Sequence, residues 1–137
     1  MRIFELIEKM QKSKDYNKLL KNYNEDDWKK FVEFSDYGYN SIKLYEDENV
    51  FLKLICWKKG QTTDTHNHPN YHSCDFKILK GELIENVFNK NLLLIDSNVY
   101  RSGDVGDIEV RNRYHIVYNE SLENAVSLHI YHKNIVF

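Results

Sequence analysis

The side chains best suited to chemistry are histidines. His66-Asn67-His68 sets two imidazoles two residues apart. On an extended strand such residues face the same way. Both rings could then meet one ion, and neutral imidazole is the commonest metal ligand. Alone, the pair is a weak signal, and two polar residues beside a turn are the more common reading. Its surroundings are more specific: the chain reads Gly60-x5-His66-x-His68-x5-Cys74-x6-Gly81, and later His115-x3-Asn119. Asp64, two residues before His66, leaves open a site of two histidines and one carboxylate. A further signal is Ser127-Leu128-His129-Ile130-Tyr131, where three polar residues alternate with two apolar ones. On a strand the polar trio shares one face. That face is the solvent side if the apolar residues form the core. It is an interior site if the apolar residues face a helix layer, because buried polar groups need partners.

The elements that must position these residues fall into two parts. In the first third, Ile3, Leu6, Ile7 and Met10 recur at helical spacing. Tyr16, Leu19, Leu20 and Tyr23 repeat the pattern after Ser13, read as an N-cap. Asn24 is read as the cap of a third helix, with Glu25, Asp26 and Asp27 in its first turn and Trp28, Phe31 and Val32 on its buried face. From about Gly38 the period changes to two. Strands are expected over residues 50–57, 76–79, 83–88, 91–96 and 124–132, separated by turn signals such as Lys59-Gly60, Lys80-Gly81 and Gly106-Asp107. Many short strands without βαβ alternation suggest a sandwich or barrel.

Composition narrows the function class. The chain of 137 residues suits one core. Its net charge of -2, from 19 Lys plus Arg and 21 Asp plus Glu, carries no basic nucleic-acid footprint. No apolar run approaches the ~20 residues needed to span a bilayer. Arg2, Glu5, Glu8 and Lys9 are wrong for a signal peptide. Two cysteines, Cys56 and Cys74, form no disulfide framework and fit a reducing compartment. A small cytoplasmic domain is expected, with neither a nucleic-acid nor a membrane partner, and monomeric.

The glycine-flanked His66-x-His68 segment and the His115-x3-Asn119 segment resemble the two cupin motifs, with Cys74 where a glutamate is usual. The resemblance sharpens when further segments join in order: Leu54-Ile55-Cys56-Trp57, Lys77-Ile78-Leu79-Lys80-Gly81, Ala125 through Tyr131, and the lead-in from Trp28 to Tyr39. Together they are similar to the cysteine dioxygenase family of thiol dioxygenases. That resemblance implies a mainly β, cupin-type jelly-roll β-barrel with an N-terminal layer of about three short helices. The whole chain, 1–137, would be one cupin domain, with a helical lead-in over 1–36 and the barrel over 37–137.

It also implies a reaction. Fe(II) would be held by His66, His68 and His115, with L-cysteine and O2 as substrates and cysteine sulfinic acid as product. Tyr131 would hydrogen-bond the reacting groups, His129 and Ser127 would fix the phenol, and Cys74 and Tyr131 match a pair joined by a thioether in some members. Two departures stand out. The segment 69–73 is one residue longer than in the animal enzymes. Ser41 stands where the family anchors the cysteine carboxylate with an arginine two residues after a tyrosine, here Tyr39. Lys43, Arg111 and Arg113 are the candidate substitutes. Another small thiol, such as 3-mercaptopropionate or cysteamine, is the alternative substrate, and a non-catalytic cupin that binds a metal or ligand is the alternative class. The remaining residues are read plainly. Cys56 is core, in phase with Leu52 and Leu54. Asp75 faces away from Cys74, and His132 is a surface residue. Loop histidines such as His72 are more often solvated than functional.

Overall fold

The structure is a computed structural model, described here over residues 1–64, 71–109 and 113–133. Two short helices come first, α1 (Ile3–Met10) and α2 (Tyr16–Asn22), then a 3₁₀ turn over Asp27–Phe31. Eight strands follow: β1 (Asn40–Glu46), β2 (Val50–Trp57), β3 (Tyr71–Lys80), β4 (Glu82–Phe88), β5 (Leu94–Arg101), β6 (Val105–Glu109), β7 (Tyr114–Tyr118) and β8 (Ala125–Lys133).

The helical expectations need two corrections. Asp15, not Ser13, caps α2, its carboxylate accepting from Lys18 N at 3.2 Å. Ser13 Oγ instead accepts from the cap residue's own N–H at 3.2 Å. The third helix is only the 3₁₀ turn, because Asp27 is committed elsewhere. Its carboxylate accepts from Ile3 N at 2.9 Å and from Tyr23 Oη at 2.7 Å. It thus satisfies one of the orphan donors that open α1, and the chain turns extended at Val32. Trp28 is buried as expected, while Phe31 and Val32 are only partly covered.

The strands form two antiparallel sheets, of order β1-β2-β8-β3-β6 and β5-β4-β7. They lie face to face as a jelly roll, but among the described residues they do not close into a strict barrel. Gly81 carries the chain from one sheet to the other. Its φ is +78°, and a Cβ there would stand 2.7 Å from Asn124 O, so only glycine fits. The strand expected over 91–96 lies later, at β5. Asn89 Oδ1 accepts from Asn91 N at 2.9 Å and Leu93 N at 3.1 Å, which curls that stretch into a turn. The apolar run Leu92, Leu93, Leu94 and Ile95 is consequently exposed rather than core.

Alternation in the larger sheet decides what faces what. Leu52, Leu54 and Cys56 of β2, with Val126, Leu128 and Ile130 of β8, are fully buried against Leu6, Met10, Leu20 and Tyr23 from the helices. Each such aliphatic side chain contributes about 1.5–3 kcal/mol by leaving water. Lys77 of β3 joins this layer from the same face. Its ammonium donates to Leu20 O, Tyr23 O and Asn24 Oδ1 at 3.1, 2.6 and 3.0 Å, closing the C-terminal end of α2. With the apolar face so covered, the opposite face of the sheet must look between the two sheets.

Candidate active site

A cavity of about 130 Å³ lies between the sheets. That is space for several waters, and so for a small ligand in their place. Its wall includes Lys53, Ile55 and Trp57 from β2, Cys74, Phe76 and Ile78 from β3, Leu83 and Glu85 from β4, Tyr100 from β5, His115 and Val117 from β7, and His129 and Tyr131 from β8. Tyr39 and Thr63 complete it. Leu128 and Ile130 face the helices, so the polar row of β8 faces this interior, the second of the two readings left open by the sequence.

The row is internally hydrogen-bonded. Trp57 Nε1 donates to Ser127 Oγ at 3.0 Å, and Ser127 Oγ lies 2.7 Å from His129 Nε2. An indole nitrogen only donates. The other nitrogen of the His129 ring, Nδ1, lies 3.7 Å from Cys74 Sγ. Cys74 and Tyr131 are direct register partners across β3 and β8 and pack together with Val87. Burial, with Asp75 nearby, holds the Cys74 thiol well above its usual range, so it is a neutral SH at pH 7. The rings of His129 and Tyr131 lie nearly parallel, 6.0 Å apart.

The facing sheet supplies a second polar pair. His115 Nδ1 lies 3.0 Å from Glu85 Oε2, with their side chains only 10% and 6% exposed. A carboxylate on Nδ1 fixes ring orientation and leaves Nε2 as the nitrogen suited to a metal. Burial, with the Glu85 and Asp96 charges nearby, pushes the Tyr100 phenol above its usual range. Sequence reasoning missed Glu85. Its signal was the alternation of Leu83, Glu85 and Val87, which puts a charge among apolar neighbours on one strand face.

The other expected residues divide. His66, His68 and Arg111 lie outside the described residues, and among the described residues no three His, Cys, Asp or Glu side chains converge as a metal cage. Tyr39 stands at the cavity wall, its ring stacked on Trp57 with centroids 5.0 Å apart. Asp64 is exposed and outside the wall. Lys43 and Arg113 do not reach the cavity. Lys43 sits on edge strand β1, beside the register shift at Lys43/Tyr45, and pairs with Glu46 at 3.1 Å with its side chain 57% exposed. Arg113 precedes β7 and is exposed. Asn119 of the His-x3-Asn segment works structurally. Its amide donates to Trp57 O and Glu123 O at 3.2 and 2.7 Å, pinning the approach to β8. His132 is not a plain surface residue, since its Nε2 lies 2.8 Å from Asp75 Oδ2 and its ring meets Tyr16 edge-on. Asp75 faces away from the cavity, and Cys56 is core, as expected. Lys53, which the sequence reading passed over, does line the cavity. It alternates in phase with Phe51, Ile55 and Trp57 and out of phase with the core residues of β2.

Comparison with known proteins bears on this geometry. The chain superposes on a Klebsiella pneumoniae protein with a double-stranded β-helix domain at a TM-score of 0.67 and 14% identity, covering 82% of this chain and 91% of that one. A cupin superfamily protein of Desulfitobacterium hafniense gives a TM-score of 0.65 at 14% identity, covering 82% and 94%. At such identities these likenesses establish the fold alone, a mainly β cupin. The cysteine dioxygenase type 1 of Danio rerio is 30% identical over an alignment of 130 residues, and the match covers 82% of this chain but only 61% of that protein. A family model described as Cysteine dioxygenase type I matches residues 2–135, nearly the whole length. The chain belongs to the cysteine dioxygenase type I family.

Proposed function

We propose that this chain is a thiol dioxygenase that adds both atoms of O2 to the sulfur of L-cysteine, giving cysteine sulfinic acid. One observation carries the reading. His115, braced by Glu85, stands in the wall of the same small cavity as Cys74, His129 and Tyr131, with Ser127 hydrogen-bonded to His129 behind that wall.

His66, His68 and His115 would hold Fe(II), which supplies O2 binding and the redox chemistry. The donor set suits it: His115 presents Nε2 with a carboxylate on the far nitrogen, as metal-bound imidazoles do. The remaining steps belong to the protein. Glu85 keeps the His115 ring in one orientation. The Trp57-Ser127-His129 relay holds the His129 ring against Cys74, and Tyr131 offers its phenol O–H to the substrate or to O2. Ile55, Phe76, Ile78, Leu83 and Val117 give the cavity an apolar lining that limits bulk water. Cys74 and Tyr131, paired in register, are placed to form a thioether, a carbon–sulfur bond made with loss of two hydrogens to O2. Tyr39 stacks on Trp57 at the wall and would border the substrate. We read residues 1–137 as one cupin domain, cytoplasmic and monomeric. No helix among the described residues is long and apolar enough to cross a membrane.

The test is oxygen uptake by Fe(II)-reconstituted protein with L-cysteine, with sulfinate quantified alongside. One sulfinate per O2 is expected. Uptake only with 3-mercaptopropionate or cysteamine would transfer the activity to another thiol, which Ser41 in the arginine position permits. Bound iron with no thiol consumed would leave a non-catalytic cupin.

A further inference from the structure

We infer that Lys53 is the anion-binding residue of the cavity and selects thiols that carry a carboxylate. The inference rests on the thiol reading above and adds the substrate's second functional group. Lys53 lies mid-strand on β2, directly opposite His129 of β8 in the ladder. Its neighbours in phase, Ile55 and Trp57, line the cavity, and so does Lys53 itself. It is the one lysine or arginine in that wall among the described residues.

The ammonium is oddly placed for a lysine. It stands 4.6 Å from the centre of the Tyr131 ring and 5.8 Å from that of Phe51. Among the described residues it meets these aromatic faces and no carboxylate. Glu85, the acid in the same wall, is engaged with His115 on the facing sheet. Lys43, opposite Lys53 on β1, is engaged with Glu46. Burial pulls the pKa of Lys53 below that of a free lysine, the signature of a cation short of compensation. Ring faces offset only part of what an ammonium loses by leaving water. A carboxylate brought in by the ligand would supply the rest.

Position fixes which part of the ligand it meets. Lys53 lies over Tyr131, whose register partner is Cys74. A ligand acid held there leaves its thiol to point toward His115 across the cavity. A ligand whose polar end is only an amine would be repelled. The class is therefore a small thiol with an acidic group, L-cysteine or 3-mercaptopropionate, and not cysteamine. Lysine is a point charge on a flexible stem, so recognition is monodentate and tolerant of chain length.

The experiment compares native protein, Lys53→Met and Lys53→Arg with L-cysteine, 3-mercaptopropionate and cysteamine. Two quantities are read: KM from sulfinate formation, and Kd from anaerobic titration of the iron-loaded protein by Trp57 fluorescence. The expected result is a preference of native protein for the two acids. In Lys53→Met that preference falls at least about tenfold, in Kd as well as KM, and Lys53→Arg restores most of it. Lys53→Gln makes the same comparison on a polar stem should the methionine variant fail to fold. Equal losses for all three thiols would mean that Lys53 only packs on Tyr131, and would overturn the inference while leaving the dioxygenase reading intact. Native protein that binds and oxidises no thiol would overturn both.

Discussion

Lys77→Met tests whether one buried ammonium holds the helix layer to the sheet. Lys77 is 5% exposed and its Nζ donates to two main-chain carbonyls and one side-chain amide oxygen around the end of α2. Methionine fills nearly the same space but donates nothing, so these acceptors lose their partner. A hydrogen bond to a charged group is worth about 1.5–3 kcal/mol. Three bonds sharing one cation do not add fully, which sets the cost at about 3–5 kcal/mol. With about 2.1 cal/mol/K of unfolding entropy per residue, the 137-residue chain should lose about 10–17 °C of Tm. Calorimetry or a urea midpoint at constant m-value measures this. Lys77 is on the outer face of β3, while Cys74, Phe76 and Ile78 face the cavity. Thiol turnover well below the lowered Tm should therefore be unchanged. A fall of less than about 3 °C would refute the reasoning, since water would then be replacing the ammonium at little cost. A large loss of turnover at unchanged Tm would refute the separation of the two faces.

Three other perturbations probe the remaining parts. Glu85→Gln removes the charge behind His115 but keeps an acceptor, so iron affinity by chelator competition should fall about 10–100-fold with the fold intact; an unchanged affinity would show that the carboxylate serves packing only. Burial favours the neutral Asp27 carboxyl, but the hydrogen bonds from Ile3 N and Tyr23 Oη, with Arg2 nearby, outweigh it and hold the pKa below the usual range. Its stabilisation is thus complete above the unfolded carboxyl pKa and lost as pH falls through the folded one. The stability gap between native protein and Asp27→Asn should be largest near pH 7 and shrink below about pH 4; a gap that widens in acid would contradict the sign. Finally, turned-over protein should lose about 2 Da in the peptides carrying Cys74 and Tyr131, and Cys74→Ala should abolish that loss. Peptide maps without it after exhaustive turnover would dismiss the cross-link.

Much of the architecture was legible because it depends on local periodicity. The helical spacing of Ile3, Leu6 and Met10 and the alternation in β2, β4 and β8 needed no partner to be read. Where the reading slipped, a distant contact had intervened. Asp27 opens no helix because it is held by the first N–H of α1 and by Tyr23. The strand after Asn89 starts only at Leu94, not at Asn91, because the Asn89 side chain captures the backbone N–H groups of Asn91 and Leu93. The short strands β6 and β7 carry too few residues for a period to declare itself, and they exist through pairing with β3 and β4.

The candidate site shows the same division. By itself the sequence determined the chemical inventory: the histidines, Cys74 and the Ser127-His129-Tyr131 row, whose two-residue spacing sets it on one face of β8. That follows because strand geometry fixes direction from one residue to the next. Which side of the sheet becomes the interior is not a local property. The helices settled it by covering Leu52, Leu54, Leu128 and Ile130, which left the opposite face to enclose the cavity. Tertiary structure alone also decided that Glu85 backs His115, that Lys43 and Arg113 stay outside, and that Lys53 stands within. Each of these depends on which strand lies opposite which, and that pairing is fixed only when the two sheets pack.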